Sequence, residues 1–461
     1  MEDDPPSYAW TAGVVVGAQQ SRSELLRTIW ALSWPVIITF LLQSLVGLID
    51  VLMVGRLGAA AVAAVGVGAQ ILSAVSVAMM AVATGTMALV ARHVGAREPH
   101  AAENVLCQSI TAAFGLSIIA MLPVIVWAPQ LVTIFGVDPP VVAQGTLFVR
   151  LVMLSIPQSA VVFVISSGLR GAGDTRTPLL IGAIVNVINI VANYVLIFGK
   201  LGLPALGVGG SALGTTVAFT TGMAIGLALL GRGDLVLGMT LRRLRPHVGT
   251  IRRVLAIGYP AAAEQVLMQV GFFLYLTFAA RYGTSAVAAY VIGVRILALS
   301  FLPGFGFGAA AGALVGQHLG AKDPALAERS GWESNRLAIY FMSACGIVLF
   351  FAARPIAAMF VDDPDVVTDA VSFIRTLAAA QPLMGIDSTI GGALRGAGDT
   401  RFPLWAVCIG FYGCRLGFAY AAVLLHLSLS WVWFALVGDY IARAVLKGWR
   451  FQSGRWKHIA V

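Results

Sequence analysis

Charge is what this sequence has least of. Among 461 residues there are 30 Lys+Arg and 21 Asp+Glu, 11% of the chain, while 59% belong to the set AVILMFWYC. An ordinary soluble domain carries about 25% charged residues, so a water-soluble globule of this length could not cover its surface. Cysteine is nearly as scarce: Cys107, Cys345, Cys408 and Cys414 lie singly in apolar stretches. Their spacing suits neither a disulfide framework nor a thiolate metal site, and they read as small packing residues. HExxH, GxSxG, Walker and paired Cys/His patterns are all missing, which leaves no machinery for ATP hydrolysis or membrane hydrolysis. The chain is expected not to be an enzyme, and to need no cofactor and no metal beyond a coupling ion.

What is present is long uncharged sequence. No formal charge occurs in the 35 residues between Arg56 and Arg92, or in the 34 between Glu103 and Asp138; about 20 apolar residues cross the hydrocarbon of a bilayer. The runs are continuous and rich in Ala, Leu, Val and Gly, unlike the short alternating strands of a barrel. An all-α polytopic membrane protein follows. Twelve spans are expected near residues 27–55, 59–91, 104–127, 141–168, 177–199, 207–231, 254–280, 284–315, 335–352, 367–393, 403–426 and 430–446. The opening Met1–Tyr8 is acidic and contains prolines, which is not the charge order of a cleaved signal peptide, so the first helix is expected to be retained. With both ends in the cytoplasm, 22 of the 30 Lys+Arg fall on that side and six on the other, as the positive-inside rule asks. The net charge of +9 is then a matter of topology and anionic membrane lipids, with no nucleic-acid partner.

The two halves repeat at a constant offset of 225 residues. Pro35 matches Pro260, Arg56 matches Arg281, Gly58 matches Gly283, His93 matches His318 and Asp138-Pro139 matches Asp363-Pro364. The densest match sets 169–179 against 394–404, both reading LRGAGDTR-x-PL and identical at ten of eleven positions. Six spans per repeat is an even number, so both copies enter the membrane in the same direction, related by a pseudo-twofold axis along its normal. The expected division is a bundle over 1–231, a basic linker over 232–253 and a second bundle over 254–461. Two such bundles facing one another across a cleft suit alternating access. The LRGAGDTR segments lack the preceding strand and the spacing of a phosphate loop. They read as gating or structural turns carrying Arg170, Asp174, Arg395 and Asp399, with Asp174 or Thr175 capping the next helix and Pro178 in its first turn.

A carboxylate within an apolar span costs roughly 2.5–3.5 kcal/mol on insertion scales, so it normally faces a polar cavity for a functional reason. Asp50, Glu264 and Asp387 are so placed. Gln43, Gly47 and Asp50 share one face of the first helix, and Asn186, Asn189 and Asn193 share one face of the fifth. Asp50 can bind and release a proton as access to the cavity alternates; Asn189, Asn193 and Thr215 of the sixth span equally supply oxygens for a small hard cation such as sodium. Alternatively, these polar groups simply hold helices together, at about 0.6–2 kcal/mol per contact. In the second half, Glu264, Met268 and Tyr275 share a face of the seventh span, with Asp387 on the tenth. At the same offset Gln43, Asp50 and Asn193 become Met268, Tyr275 and Phe418. The first half reads as the ion site, the second as more apolar and aromatic. Arg295 and Arg415 also lie within spans, to pair with these acids or to reach an interface.

The first-helix pattern 48–58, LIDVLMVGRLG, followed by Ala63-Ala64, the paired LRGAGDTR turns, and Asp439 with Arg443 in the last helix resemble the multidrug and toxic compound extrusion (MATE) transporters over about residues 25–455. The resemblance implies a twelve-helix, V-shaped antiporter of the cell membrane that expels cationic, amphipathic or polyaromatic compounds in exchange for protons or sodium ions. It sets Asp50 on the family's first-helix aspartate, Asn189 on an asparagine of the fifth-helix ion site and Thr215 on a sixth-helix threonine. Asn193 stands where some members carry an aspartate, and the family's seventh-helix glutamate falls on Met268. The pattern leans toward a proton-coupled member of the DNA-damage-inducible-F-like branch.

The resulting expectation is a monomeric secondary antiporter, driven by protonation of Asp50, with Gln43, Asn186, Glu264, Met268, Tyr275 and Asp387 lining the substrate cavity. A lipid or lipid-linked oligosaccharide flippase is the alternative within the superfamily, and a non-transporting membrane scaffold the alternative outside it.

Overall fold

Backbone amides cannot be left without partners in hydrocarbon, and apolar runs of this length satisfy them internally as helices. The computed structural model describes residues 21–233 and 235–459; the acidic opening Met1–Tyr8 lies outside them. Among the described residues every regular element is helical. The first repeat comprises α1 (Arg22–Gly55), α2 (Ala59–Gly95), α3 (Pro99–Val126), α4 (Ala128–Thr133), α5 (Pro139–Met153), α6 (Ile156–Gly171), α7 (Arg176–Phe198) and α8 (Val208–Arg232). The second comprises α9 (Val248–Ala279), α10 (Thr284–Ser300), α11 (Leu302–Gly320), α12 (Pro324–Ala358), α13 (Pro364–Gly396), α14 (Arg401–Val407), a π-helical segment Cys408–Leu416, α15 (Gly417–Leu424) and α16 (Leu429–Gln452).

Ten of these stretches are long and apolar enough to cross a membrane, and α5 with α6, bent by 47°, adds an eleventh. The twelfth is α13, whose 33 residues span about 50 Å at ~1.5 Å per residue but include Asp387 and Arg395. All twelve expected spans therefore correspond to helices. The chain is a multi-pass membrane protein.

The offset of 225 governs the backbone as well as the sequence. It relates the starts of α2 and α10, α3 and α12, α5 and α13, and α7 and α14. It also relates the left-handed residues Arg97 and Lys322 (φ 60 and 60), Leu201 and His426 (φ 56 and 51), and Gly173 and Gly398 (φ 91 and 89). At the last pair the turns agree closely. Asp174 N donates to Leu169 O over 2.9 Å and Asp399 N to Leu394 O over 2.8 Å. A glycine is needed there because L side chains rarely adopt φ near +90°.

The described chain forms two compact units, one of residues 38–262 and one of 21–37 with 263–459. The boundaries thus fall inside α1 and α9, at positions again 225 apart and just after Pro35 and Pro260, and not in the linker. The reason lies in the packing of the two leading half-helices. In the second unit Leu25, Ile29 and Leu32 are buried with Phe307, Ala310, Leu314 and Ala338, and Arg22 Nε is 3.2 Å from Glu333 Oε1. In the first unit Gly258 and Gly85 bring α9 and α2 so close that a Cβ on either would overlap a backbone carbonyl, of Ala81 and Val254 respectively.

The linker is docked as well. Gln108 of α3 donates to the carbonyls of Arg243 (2.6 Å) and Arg245 (2.7 Å) and accepts from His247 N (2.6 Å). Glu103 accepts from Gly238 N over 3.0 Å and pairs with Arg243.

Candidate functional site

In the first unit Asp50 lies in the last turns of α1, while Asn189 and Asn193, one turn apart on α7, are both buried. Asn193 Nδ2 donates to Asp50 Oδ1 over 2.8 Å. The Asn189 amide sits between Asp50 and α8. One of its terminal atoms is 3.2 and 3.3 Å from the two Asp50 oxygens, and the other is 3.2 Å from Thr215 Oγ1. With Oδ1 toward Asp50, Asn189 accepts from Asn193 Nδ2 (3.2 Å) and donates to Thr215, whose hydroxyl donates in turn to Ser211 O (3.0 Å). That leaves an amide oxygen facing a carboxylate, which suits a protonated Asp50 that donates, or a cation held between the oxygens. With the amide turned over, Nδ2 donates to both carboxylate oxygens and Oδ1 accepts from Thr215, as an ionised Asp50 requires. One rotation separates the two arrangements.

Two further features shape this cluster. Asn193 Oδ1 is buried without a hydrogen-bond partner, and it fits because Gly214 of α8 has no side chain: a Cβ there would overlap that oxygen. No Lys or Arg among the described residues is within salt-bridge distance of Asp50. The expected ion-site residues Asp50, Asn189, Asn193 and Thr215 thus come together. Gln43 is exposed two turns earlier on α1, and Asn186 is half-buried one turn before Asn189.

The second unit holds a different centre. Glu264 on α9 receives Arg395 Nη2 at 2.9 Å on each carboxylate oxygen. Asp387 on α13 lies 2.6 Å from Lys447 Nζ and 3.3 Å from Arg443 Nη1. Asp439 on α16 lies 2.7 Å from Arg415 Nη2 and 2.8 Å from Arg443 Nε. Arg415, carried by the π-helical segment, is 1% exposed and surrounded by aromatic rings, the nearest being Phe411 at 4.3 Å and Tyr440 at 5.4 Å. Removing an ion from water costs several kcal/mol, and good pairing geometry offsets this. Here four cations and three carboxylates form one continuous network.

Of the residues expected to line a substrate cavity, Glu264 and Asp387 belong to this network. Met268 is half-buried against the second unit's apolar core. Tyr275 is fully buried, its hydroxyl donating to Val432 O and its ring tilted against Tyr290 (5.7 Å) and Trp433 (6.4 Å). Arg295 is exposed. Arg395, Arg443 and Lys447, counted in the sequence as basic groups of the cytoplasmic edge, are instead drawn into the network by the acids opposite them. Lys447 was not singled out from sequence at all. The signal was available: Asp439, Arg443 and Lys447 recur every four residues on α16, as Asp387, Gly391 and Arg395 do on α13, so each set is one stripe of a helix.

The two LRGAGDTR turns share a backbone but not a chemistry. Asp174 Oδ1 accepts from Arg176 N (3.1 Å) and Thr177 N (3.0 Å), capping α7 as expected. Asp399, in the same place, accepts from Arg450 Nε over 2.7 Å. Arg170 is buried and donates to Ser167 Oγ over 3.1 Å, whereas its equivalent Arg395 holds Glu264.

The MatE family model matches residues 35–195 and 260–421, and these two segments begin 225 residues apart. The chain is similar to the probable multidrug resistance protein NorM of Thermotoga maritima, 30% identical over 448 residues that cover 95% of this chain and 94% of that one. It is 28% identical over 432 residues to the uncharacterized transporter YisQ of Bacillus subtilis, covering 93% and 94%. In three dimensions it resembles a crystallised Vibrio cholerae MATE transporter, with a TM-score of 0.88 and 19% identity, covering 96% of this chain and 100% of that one.

Proposed function

Because the chain belongs to the MATE family of membrane transporters, we propose that it is a secondary antiporter that expels cationic or polyaromatic small molecules in exchange for protons, with Asp50 as the proton-carrying group. The observation that supports this reading is the environment of Asp50. Asp50 is held by amides, and no Lys or Arg among the described residues pairs with it to make its charge permanent. When Asp50 is ionised, Asn193 and the turned Asn189 amide donate to it. When a proton arrives, the amide reverses, Asn189 Oδ1 accepts from the acid, and Thr215 returns its hydroxyl to Ser211 O. Proton uptake thereby changes which hydrogen bonds join α7 to α8. Neutralising Asp50 also removes the charge that favours a cationic compound nearby, so drug release and proton entry are linked. The distribution of Lys and Arg supports cytoplasmic termini.

Sodium is the second reading, since the same oxygens suit a small cation. The flippase reading finds less support. It requires several guanidinium groups open to phosphate; of the two arginines within spans, Arg415 is committed to Asp439 and the rings around it, which leaves the exposed Arg295 alone.

The test is efflux from proteoliposomes holding ethidium, under an imposed pH gradient or an imposed sodium gradient. Wild type is expected to respond to the pH gradient, and Asp50→Asn to fall to the protein-free rate. Full activity in Asp50→Asn would remove this residue from the mechanism, and a response to sodium alone would replace the proton.

A further inference from the structure

We propose that the network of the second unit is a monovalent-cation site whose cation belongs to the chain itself: the Lys447 ammonium. Its side chain is 1% exposed. Its Nζ stands 2.6 Å from Asp387 Oδ1, 3.4 Å from the Asp387 carbonyl oxygen and 4.0 Å from Glu264 Oε1. Two carboxylates and a backbone carbonyl are the hard oxygen donors that small cations select.

Asp439 takes Arg415 and the Nε edge of Arg443, and Glu264 takes Arg395. Asp387 shares its two oxygens between Arg443 Nη1 at 3.3 Å and the ammonium, which at 2.6 Å is the nearer cation. Room for it is provided by Gly391, one turn beyond Asp387. A Cβ at that position would be 3.2 Å from Nζ and 3.7 Å from Cδ of Lys447, and would crowd the ammonium where it reaches the carboxylate.

The repeat supplies a second line of argument. At the offset of 225, Glu264 and Asp387 become Thr39 and Val162, and α8, which occupies the place of α16, contains no lysine. The acids and the ammonium are present together in one half and absent together in the other. A tethered ammonium fills such a site permanently and cannot be carried across the membrane. On the reading proposed above, ion exchange is then confined to Asp50. The site itself does not depend on that reading, because it is tested by cation binding without transport.

The experiment is thermal unfolding of the purified full-length protein in detergent, at constant ionic strength. Choline chloride is replaced stepwise by sodium, potassium or methylammonium chloride. Lys447→Met is expected to unfold below wild type in choline and to recover by several degrees, saturably, with at least one small cation, because a ligand that binds only the folded state raises the midpoint with concentration. Wild type and the double variant Lys447→Met/Asp387→Asn are expected to show no such rise. Lys447→Gln, which keeps a donor but loses the charge, replaces the methionine variant if that one does not fold, with the same expectation. A lysine variant that no small cation rescues, a wild type that responds equally, or a double variant that still responds would each overturn the proposal. Failure of Asp50→Asn to alter efflux would leave this result untouched, so the two readings fall separately.

Discussion

The two units hold buried carboxylates by opposite means. In the first, Asp50 is held by the amides of Asn193 and Asn189, with no basic group among the described residues in salt-bridge range; in the second, Glu264, Asp387 and Asp439 are each matched to guanidinium or ammonium groups. The two repeats share four helix starts and the Gly173/Gly398 turn at one offset, so the common scaffold does not by itself dictate the difference. A charge that amides alone stabilise can be given up at modest cost. One clamped between fixed cations cannot, since removing either partner strands the other in a medium that penalises it by several kcal/mol. The first arrangement suits an exchangeable proton and the second a permanent brace.

This contrast predicts that the second unit fails by unfolding and the first by losing transport. The largest stability effect is expected from Asp439→Ala, which leaves the 1% exposed Arg415 without an acid. The cost should be about 3–5 kcal/mol, read as a fall in the thermal midpoint or loss of folded yield. Asp50→Asn should instead abolish pH-driven efflux while shifting stability by less than about 1 kcal/mol, since an amide can still bond Asn193 and Asn189. If both variants lost stability equally, the contrast would collapse.

Gly214→Ala comes next. The added methyl must displace the Asn193 amide from Asp50, costing about 1–3 kcal/mol as overpacking and moving the pH midpoint of efflux; an unchanged pH profile would show that Asn193 does not tune Asp50. The smallest effect is expected at the paired turns. Asp174→Ala removes a helix cap worth about 0.5–2 kcal/mol. Asp399→Ala removes no such cap but should cost more, because it strands Arg450, whose side chain is 18% exposed. Equal losses in chemical denaturation would mean that the turns are interchangeable after all.

Most of the architecture was legible in the sequence, because lipid removes the alternatives: a long uncharged run has to be a helix, and the constant offset fixes equivalent turns to the residue. The cluster around Asp50 was legible for a similar reason, since an amide stripe on an apolar helix stands out. The second centre was not. Its members come from α9, α13, α16 and the segment Cys408–Leu416, and no single helix shows more than a fragment. That segment is also π-helical, so each residue turns less than in an α-helix and Arg415 cannot be placed by a 3.6-residue count. Lys447 and Arg395 looked like basic residues of a membrane edge because the helical stripes that carry them show an acid on the same helix but not the acids of the neighbouring helices that they pair with. The unit boundaries escaped for a simpler reason: a linker rich in arginine looks like a joint, and only the contacts of Gln108 and Glu103 reveal it as a fastened strap.

The exchange of leading half-helices has a genetic consequence. A gene cut within 232–247 would encode two fragments, each deprived of a segment its own core needs: the first would lack residues 248–262, and the second would lack 21–37 and expose Phe307 and Leu314. Neither product should accumulate alone, whereas co-production should restore both. Duplication of a six-helix ancestor therefore did more than double a bundle; it made each copy dependent on the other for completion.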